Sequence, residues 1–365
     1  MASKKEGRYI KKITAIFGVF VLIIAVMLGG YLAFSAIIEW KPKTIEDAEV
    51  VAYDKFKDIS LGKEYSMVAW NVGYGGLDAS QDFFMDGGKT TMPAEKSMVE
   101  ENVEGILSRI KEIGADFTCL QELDRNSKRS YFIDQKSEIE KEVNGNSAYA
   151  DNFNVPYVPY PLSSPIGKVK SGVYTISKYK LENNKRIALP VPFKWPIRMF
   201  NLKRCLLVSE VPIEDSDKKL ILVNLHLEAY DSGAGKVAQT NALAELLLKE
   251  YAKGHYVIAC GDWNQAFEEN IESMPYPEDP KLWRPGKFDL PEELASWTLG
   301  YDIKIPSNRL NNKAYVKDSP DTYISVVDGF IASPNIKVIS VENMDFQFEL
   351  SDHNPVIMRF ELKNN

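Results

Sequence analysis

The 365-residue chain is 45% hydrophobic and 26% charged with a formal net charge of −7, which excludes a disordered protein and leaves room for one large domain or two ordinary ones. Residues 1–40 hold five Lys and Arg against two Glu, leaving about −10 on the rest, whereas a domain that grips nucleic acid indiscriminately carries a basic surplus. No fixed-period repeat is visible, which argues against a solenoid or propeller.

The chain opens on a basic tail, residues 1–12, with Lys4, Lys5, Arg8, Lys11 and Lys12. Residues 13–38 (ITAIFGVFVLIIAVMLGGYLAFSAII) then run without a charge. That exceeds the roughly 20 residues needed to span a bilayer and the about 7–15 residues of a signal peptide's apolar region. No small-x-small cleavage site follows, so the segment reads as an uncleaved transmembrane signal-anchor. By the positive-inside rule the basic tail stays in the cytoplasm. The expected topology is single-pass in the cytoplasmic membrane, N-terminus inside, with the folded part extracytoplasmic. Trp40 sits in an interfacial collar (EWKPK) closed by Pro42, and residues 39–62 read as a polar stalk.

From residue 63 strand-like and helix-like runs alternate. A strand over 65–71 ends at Asn71 and a Gly-rich turn; a helix over 96–113 carries Val99, Val103, Ile106 and Ile110 at helical spacing. A strand over 116–120 ends in Gln121-Glu122, and a short helix follows at 136–142. Strands over 172–177 and 204–211 are candidates to pair with each other. The strand 220–225 stops at His226, and a helix over 236–251 has Val237, Leu243, Leu246 and Leu247 as its buried side. The strand 256–260 ends at Gly261-Asp262-Trp263-Asn264. Residues 271–320, rich in Pro, Trp and Asn, read as a long irregular excursion. Strands over 323–331 and 336–341 precede Ser351-Asp352-His353-Asn354-Pro355 and a last strand, 356–362. Many strands and few helices without strict βαβ order predict a layered α/β sandwich with mixed sheets, and 63–365 as one domain. Cys119, Cys205 and Cys260 each sit in an apolar run, where cysteine is a small buried hydrophobe.

Five strand-like runs end in acidic, amide or imidazole groups: Asn71, Glu122, His226, Asp262 with Asn264, and Asp352 with His353. Asp328 interrupts a sixth. Hard cations such as Mg²⁺ take carboxylate, amide and water oxygens, while histidines move protons near neutral pH. His255, in a turn, reads as a surface residue.

The segments WNVGYGG, LQELD, NLHLEA, GDWN, VVDGFI and SDHNPV, in that order, resemble the signature blocks of the endonuclease/exonuclease/phosphatase superfamily over about residues 63–362. The resemblance implies a four-layered α/β sandwich, two mixed β-sheets packed face to face, and a Mg²⁺- (or Mn²⁺-) dependent phosphoesterase. It implies metal-holding roles for Asn71, Glu122 and Asp352. It implies catalytic roles for His226, which contacts the scissile phosphate, for Asp262, which orients water, and for Asn264, which holds a phosphate oxygen. His353 is implied as the catalytic histidine, with Asp328 as the carboxylate that pairs with it. The phosphoester substrate is a lipid headgroup, a nucleotide or nucleic acid, and no protein partner is inferable. Two alternatives stand beside this reading. One is a catalytically inactive membrane-tethered binding module. The other is an extracytoplasmic nuclease, with Lys168, Lys170, Lys178, Lys180, Lys185 and Arg186 as its basic track. Substrate selectivity is expected in the 271–320 excursion, with Tyr276, Trp283, Trp297 and Tyr301.

Overall fold

The strands richest in apolar residues lie where both faces are covered, so they bury nearly every position instead of alternating. The computed structural model describes residues 2–364 except 54, 232, 269, 270, 272, 275, 276, 280 and 320, with side chains from residue 7 onward. Tyr276 thus lies outside the described residues, as do the side chains of Lys4 and Lys5.

Two seven-stranded sheets face each other. Strands in chain order are β1 (Ile45–Asp47), β2 (Glu49–Val51), β3 (Glu64–Asn71), β4 (Phe117–Asp124), β5 (Asn146–Val158), β6 (Gly167–Ser177) and β7 (Glu182–Ala188). They continue with β8 (Cys205–Pro212), β9 (Lys219–His226), β10 (Tyr256–Asp262), β11 (Thr298–Gly300), β12 (Asp328–Ala332), β13 (Ile336–Asn343) and β14 (Val356–Leu362). One sheet runs β1-β7-β8-β9-β10-β12-β11 and the other β13-β14-β3-β4-β6-β5-β2. Both are mixed: β9 and β10 are parallel, as are β3 and β4, while their other neighbours are antiparallel.

The period-2 pattern sorts the layers. Met67 and Ala69 of β3 point at Leu220 and Leu222 of β9 and at Ile258 and Cys260 of β10, forming the core between the sheets. The alternate residues Val68 and Trp70 turn outward onto Ile106 and Ile110 of α2 (Lys96–Ile113) and Ile139 of α3 (Gln135–Glu142). On the far side, Ile221 and Val223 pack against Leu243 and Leu247 of the helix Ala234–Ala252. Helix, sheet, sheet, helix are the four expected layers. All three cysteines are free and buried. Asp134 caps α3 by accepting the Ser137 N–H at 3.2 Å. Asp134→Ala should lower stability by about 1 kcal/mol, read from the urea midpoint.

Several expectations change. Strands 172–177 and 204–211 do not pair: the first lies in β6 between β4 and β5, the second in β8 between β7 and β9, in opposite sheets. The partner of β6 is the 13-residue β5, whose Asn, Asp and Ala content hides its strand character. Residues 45–51, read as stalk, add an edge strand to each sheet, β1 on β7 and β2 on β5. Val237 is 58% exposed, whereas Leu243 and Leu247 are buried as expected, Leu246 is partly buried, and Gln239, Thr240 and Ala244 join the buried face. Strand 323–331 is broken at Val326-Val327 into Ile324–Ser325, paired with Asn308–Arg309, and β12. The 271–320 excursion is therefore not wholly irregular, since it supplies β11 and the Asn308–Arg309 strand.

The N-terminal helix, Ala2–Ile37, contains within Gly7–Ile37 an 18-residue window of mean hydropathy 2.6. It is long and apolar enough to cross a membrane, as an anchor or a signal sequence is.

Candidate active site

Sheet register carries the predicted residues to one rim. In the β9–β10 ladder His226 stands opposite Asp262, and in the β10–β12 ladder Asp262 stands opposite Asp328. Three titratable side chains thus lie in a row across adjacent strands. On the facing sheet Asn71 stands opposite Gln121, and β4 slips register between Leu120 and Leu123, leaving Glu122 at φ +54°. Asn264 (φ +50°) and Tyr74 (φ +45°) are also left-handed, and such strain in non-glycine residues gathers at functional sites. Asn71 stitches the sheets together, its Nδ2 donating to Glu122 Oε1 at 3.2 Å and Asp262 Oδ2 at 3.0 Å.

The turn before β14 brings the last two groups. Ser351 Oγ donates to the Asn71 carbonyl at 2.8 Å and Trp70 Nε1 to the His353 carbonyl at 2.9 Å. Gly73 sits so close that a Cβ there would lie 2.9 Å from Asp352 Oδ1. Asp352 Oδ2 accepts from Asn311 Nδ2 at 2.6 Å. His353 lies between two carboxylates: Nδ1 is 2.7 Å from Asp328 Oδ2 and Nε2 3.8 Å from Asp262 Oδ2. Asn308 Nδ2 also lies 2.9 Å from His353 Nε2, so a fully protonated ring requires the amide to turn and present its oxygen. Asp262, Asp328 and His353 offer ligand atoms within 4.8 Å of one another, so this group could hold a metal ion.

The two histidines are pushed in opposite directions. Burial drives His226 well below its ordinary value, helped by the Arg204 charge, so it is neutral. Burial acts the same way on His353, but Asp328 and then Asp262 outweigh it and lift that ring to about 10. Asp262 is raised to about 6 by burial and the Asp328 charge, against the pull of His353. Burial raises Glu122 as well, and brings Asp86 to about 6.

These groups line a cavity of about 360 Å³. Glu122, His226, Asp262, Asn264, Asp352 and His353 reach it; Asn71 and Asp328 stand behind. Two predicted residues are placed otherwise than expected. Asn71 presents its amide nitrogen to the carboxylates, because its oxygen accepts the Gly73 N–H at 3.0 Å, so it positions possible metal ligands instead of offering a free oxygen. Asn264 Nδ2 donates to the Leu227 carbonyl at 2.9 Å and faces Asp262 Oδ2 at 3.3 Å, so its donors are engaged within the protein. His255 does not line the cavity, nor does any of Lys168, Lys170, Lys178, Lys180, Lys185 and Arg186. Of the excursion's described aromatics Trp283 reaches the cavity, while Trp297 packs beside Tyr251 and Tyr301 stacks on Phe267.

Sequence reasoning missed Asn308 and Asn311, which touch His353 and Asp352 from the excursion. It also missed the cavity's guanidiniums. Arg129 pairs with Asp124 at 3.0 Å, Arg204 with Glu228 at 3.2 Å, and Arg309 donates to the Asp78 carbonyl at 2.7 Å. Their spacing carries no motif; only the strand pairing brings them together.

A divalent cation fits this donor set. Asp86, Glu122, Glu228, Asp262 and Asp352 line the cavity beside Arg129, Arg204 and Arg309, and each arginine is already tied to a carboxylate or carbonyl. An anionic ligand entering alone would meet excess negative charge, and raised carboxylates are those that a bound cation relieves.

The family model described as "Endonuclease/Exonuclease/phosphatase family" matches residues 68–353. No curated protein matches the chain by sequence. Among solved structures, an endonuclease/exonuclease/phosphatase from Beutenbergia cavernae superposes with TM-score 0.54 at 15% identity, covering 83% of this chain and 72% of that one. ANGEL2, a 2',3'-cyclic phosphatase, gives TM-score 0.52 at 16% identity over 87% of this chain and 99% of that one. The human Nocturnin catalytic domain, with bound sulfate, gives 0.50 at 15% identity over 87% and 97%. At these identities the likeness establishes the fold.

Proposed function

Because the chain belongs to the endonuclease/exonuclease/phosphatase family, whose members hydrolyse phosphoester bonds, we propose that it is a Mg²⁺- or Mn²⁺-dependent phosphoester hydrolase. We place its catalytic domain on the outer face of the cytoplasmic membrane, behind a single N-terminal anchor. The observation that carries the reading is the acidic cavity, where raised carboxylates on both sheets stand beside arginines already engaged.

Glu122 and Asp352 would hold the cation, and Asn71 fixes Glu122 against Asp262. When bound, the cation would supply neutralisation of the phosphoryl oxygens. Asp262, raised to about 6, accepts the proton of the attacking water as the water oxygen bonds to phosphorus and the ester oxygen departs. His353, fixed by Asp328 and carrying charge, holds a phosphoryl oxygen. His226, kept neutral, hydrogen-bonds the phosphate without giving up a proton. Asn264 positions Asp262 by donating its backbone N–H to Oδ1 at 2.8 Å. A nuclease reading is disfavoured because none of the basic residues expected to track a strand lines the cavity.

The test uses the full chain with bis(p-nitrophenyl) phosphate under Mg²⁺, Mn²⁺ or chelator. Turnover is expected with metal only, and Glu122→Gln should abolish it. Metal at 100 times its Kd should raise wild-type stability by about 2.7 kcal/mol, with a matching rise in melting temperature that the variant lacks. Absence of both turnover and a metal-raised melting temperature rejects the reading in favour of an inactive binding module.

A further inference from the structure

The cavity lining is of two chemically different kinds. Beside the polar set that includes His226, Asp262 and Asp352, it has an apolar wall of Phe84, Val158, Tyr160, Ile166, Ile197 and Phe200, in which Val158, Ile166 and Phe200 share one hydrophobic cluster and the Phe84 and Tyr160 rings lie 5.5 Å apart. A phosphate with a small polar ester would leave this apolar wall facing water.

The wall lies beside the N-terminal helix. Tyr31 stacks on Phe200 with ring centroids 6.0 Å apart and planes 1° from parallel. Beyond the helix end, Glu39 pairs with Lys203 at 3.0 Å and Arg198 at 3.6 Å. Ser35 is buried there, while the preceding turns of the helix are bare. The uncharged run 13–38 would measure about 39 Å as helix, against a hydrocarbon core of about 30 Å. Its last roughly 9 Å, the part that touches the domain, then falls at headgroup depth.

The residues around the cavity mouth suit that depth. Tyr160 is 60% exposed, Leu162 87%, Trp195 56% and Ile197 58%. Tyr160 and Ile197 belong to both the exposed rim and the cavity wall. Large apolar side chains left bare together mark an interaction surface, and aromatic residues favour the membrane–water boundary.

We propose that this rim seats in the outer leaflet and that the substrate is a phospholipid, its phosphate at Asp262 and His353 and the start of its hydrocarbon along the Phe84–Phe200 wall. The proposal rests on the phosphoesterase reading and deepens it. A lipid then reaches the carboxylates without its chains crossing water, and the engaged arginines are not needed to capture a free anion from solution.

Full-length protein in vesicles of equal parts phosphatidylcholine, phosphatidylglycerol and sphingomyelin is compared with a Leu162→Asp/Trp195→Ser variant, whose changes lie outside the cavity lining. Release of phosphorylated or dephosphorylated headgroup is followed by phosphorus NMR. Bis(p-nitrophenyl) phosphate and a soluble dinucleotide serve as water-borne esters. The expected result is at least a tenfold loss of lipid cleavage in the variant with soluble-ester turnover retained. Should the double variant lose soluble turnover too, Leu162→Asp alone makes the comparison, and it should lose lipid cleavage selectively. Equal lipid cleavage by wild type and variant overturns the proposal, as does cleavage of the dinucleotide by a wild-type protein that leaves vesicle lipid untouched. Failure on every substrate with metal present rejects the phosphoesterase reading itself, and this proposal with it.

Discussion

Asp262→Asn should lower turnover of a phosphodiester by about 10³-fold, with a stability loss of only about 1–3 kcal/mol read from the urea midpoint. The side chain is 1% exposed and sits where both sheets meet: Asn71 Nδ2, the Asn264 N–H, His226 and His353 all face it. An amide of the same shape keeps the Asn264 backbone hydrogen bond and removes the repulsion from Asp328, but it turns an N–H toward Asn71 Nδ2 and loses that hydrogen bond. It also forfeits attraction to His353, so the electrostatic changes oppose each other. The proton acceptor disappears as well, and a positioned general base is worth about 10²–10⁴ in rate. Metal affinity, read by the melting-temperature shift, should survive, because Glu122 and Asp352 are untouched. A loss below tenfold at saturating substrate would put the base elsewhere.

Trp263→Ala should destabilise the protein by about 3–5 kcal/mol through lost packing alone. Trp263 is fully buried, with its ring 5.6 Å from Phe267 and 5.1 Å from Phe288, and Nε1 donates to the Gly329 carbonyl at 3.1 Å. Removing the indole also leaves that carbonyl short of a partner, at a further cost of about 1–3 kcal/mol. Against a typical total of about 5–15 kcal/mol, this is a large fraction of the whole. The urea midpoint should fall with an unchanged slope. Trp263→Phe retains most of the packing and should cost less, which separates the ring from its hydrogen bond. Because Trp263 stands between Asp262 and Asn264, the Ala variant should lose activity as well.

The site was legible where chemistry follows a strand end. Asn71, His226 and Asp262 close runs whose apolar content announces them, and His226 is one of only three histidines in the chain. Glu122 was found although its bulge was not, because the bulge depends on pairing with β6 that no local pattern records. The helix over 96–113 was read to the residue because its apolar spacing is strong and Gly114 ends it. By contrast β5 was invisible, since Asn146, Asp151, Asn152 and Asn154 interrupt its apolar positions. Asn308 and Asn311 were hidden for a similar reason: in a segment of turn-forming residues, an asparagine that touches a catalytic group looks like any other. The roles of Asn71 and Asn264 turn on which amide atom faces inward, and composition cannot encode that.

The paired strands at residues 45–51 give the N-terminal helix a mechanical meaning. Only residues 38–44 separate the helix end from the first paired residue, and within that short interval Glu39 and Trp40 are already held, the latter by the Arg186 guanidinium over its ring at 5.1 Å. For a helix embedded in a bilayer, such a mount works as a bracket and not as a leash. A domain so mounted would be held at the bilayer surface, and with the lipid substrate proposed above its encounters would scale with the surface density of molecules diffusing in two dimensions. Dilution of the medium, which starves an enzyme of dissolved reactants, would then leave its supply untouched.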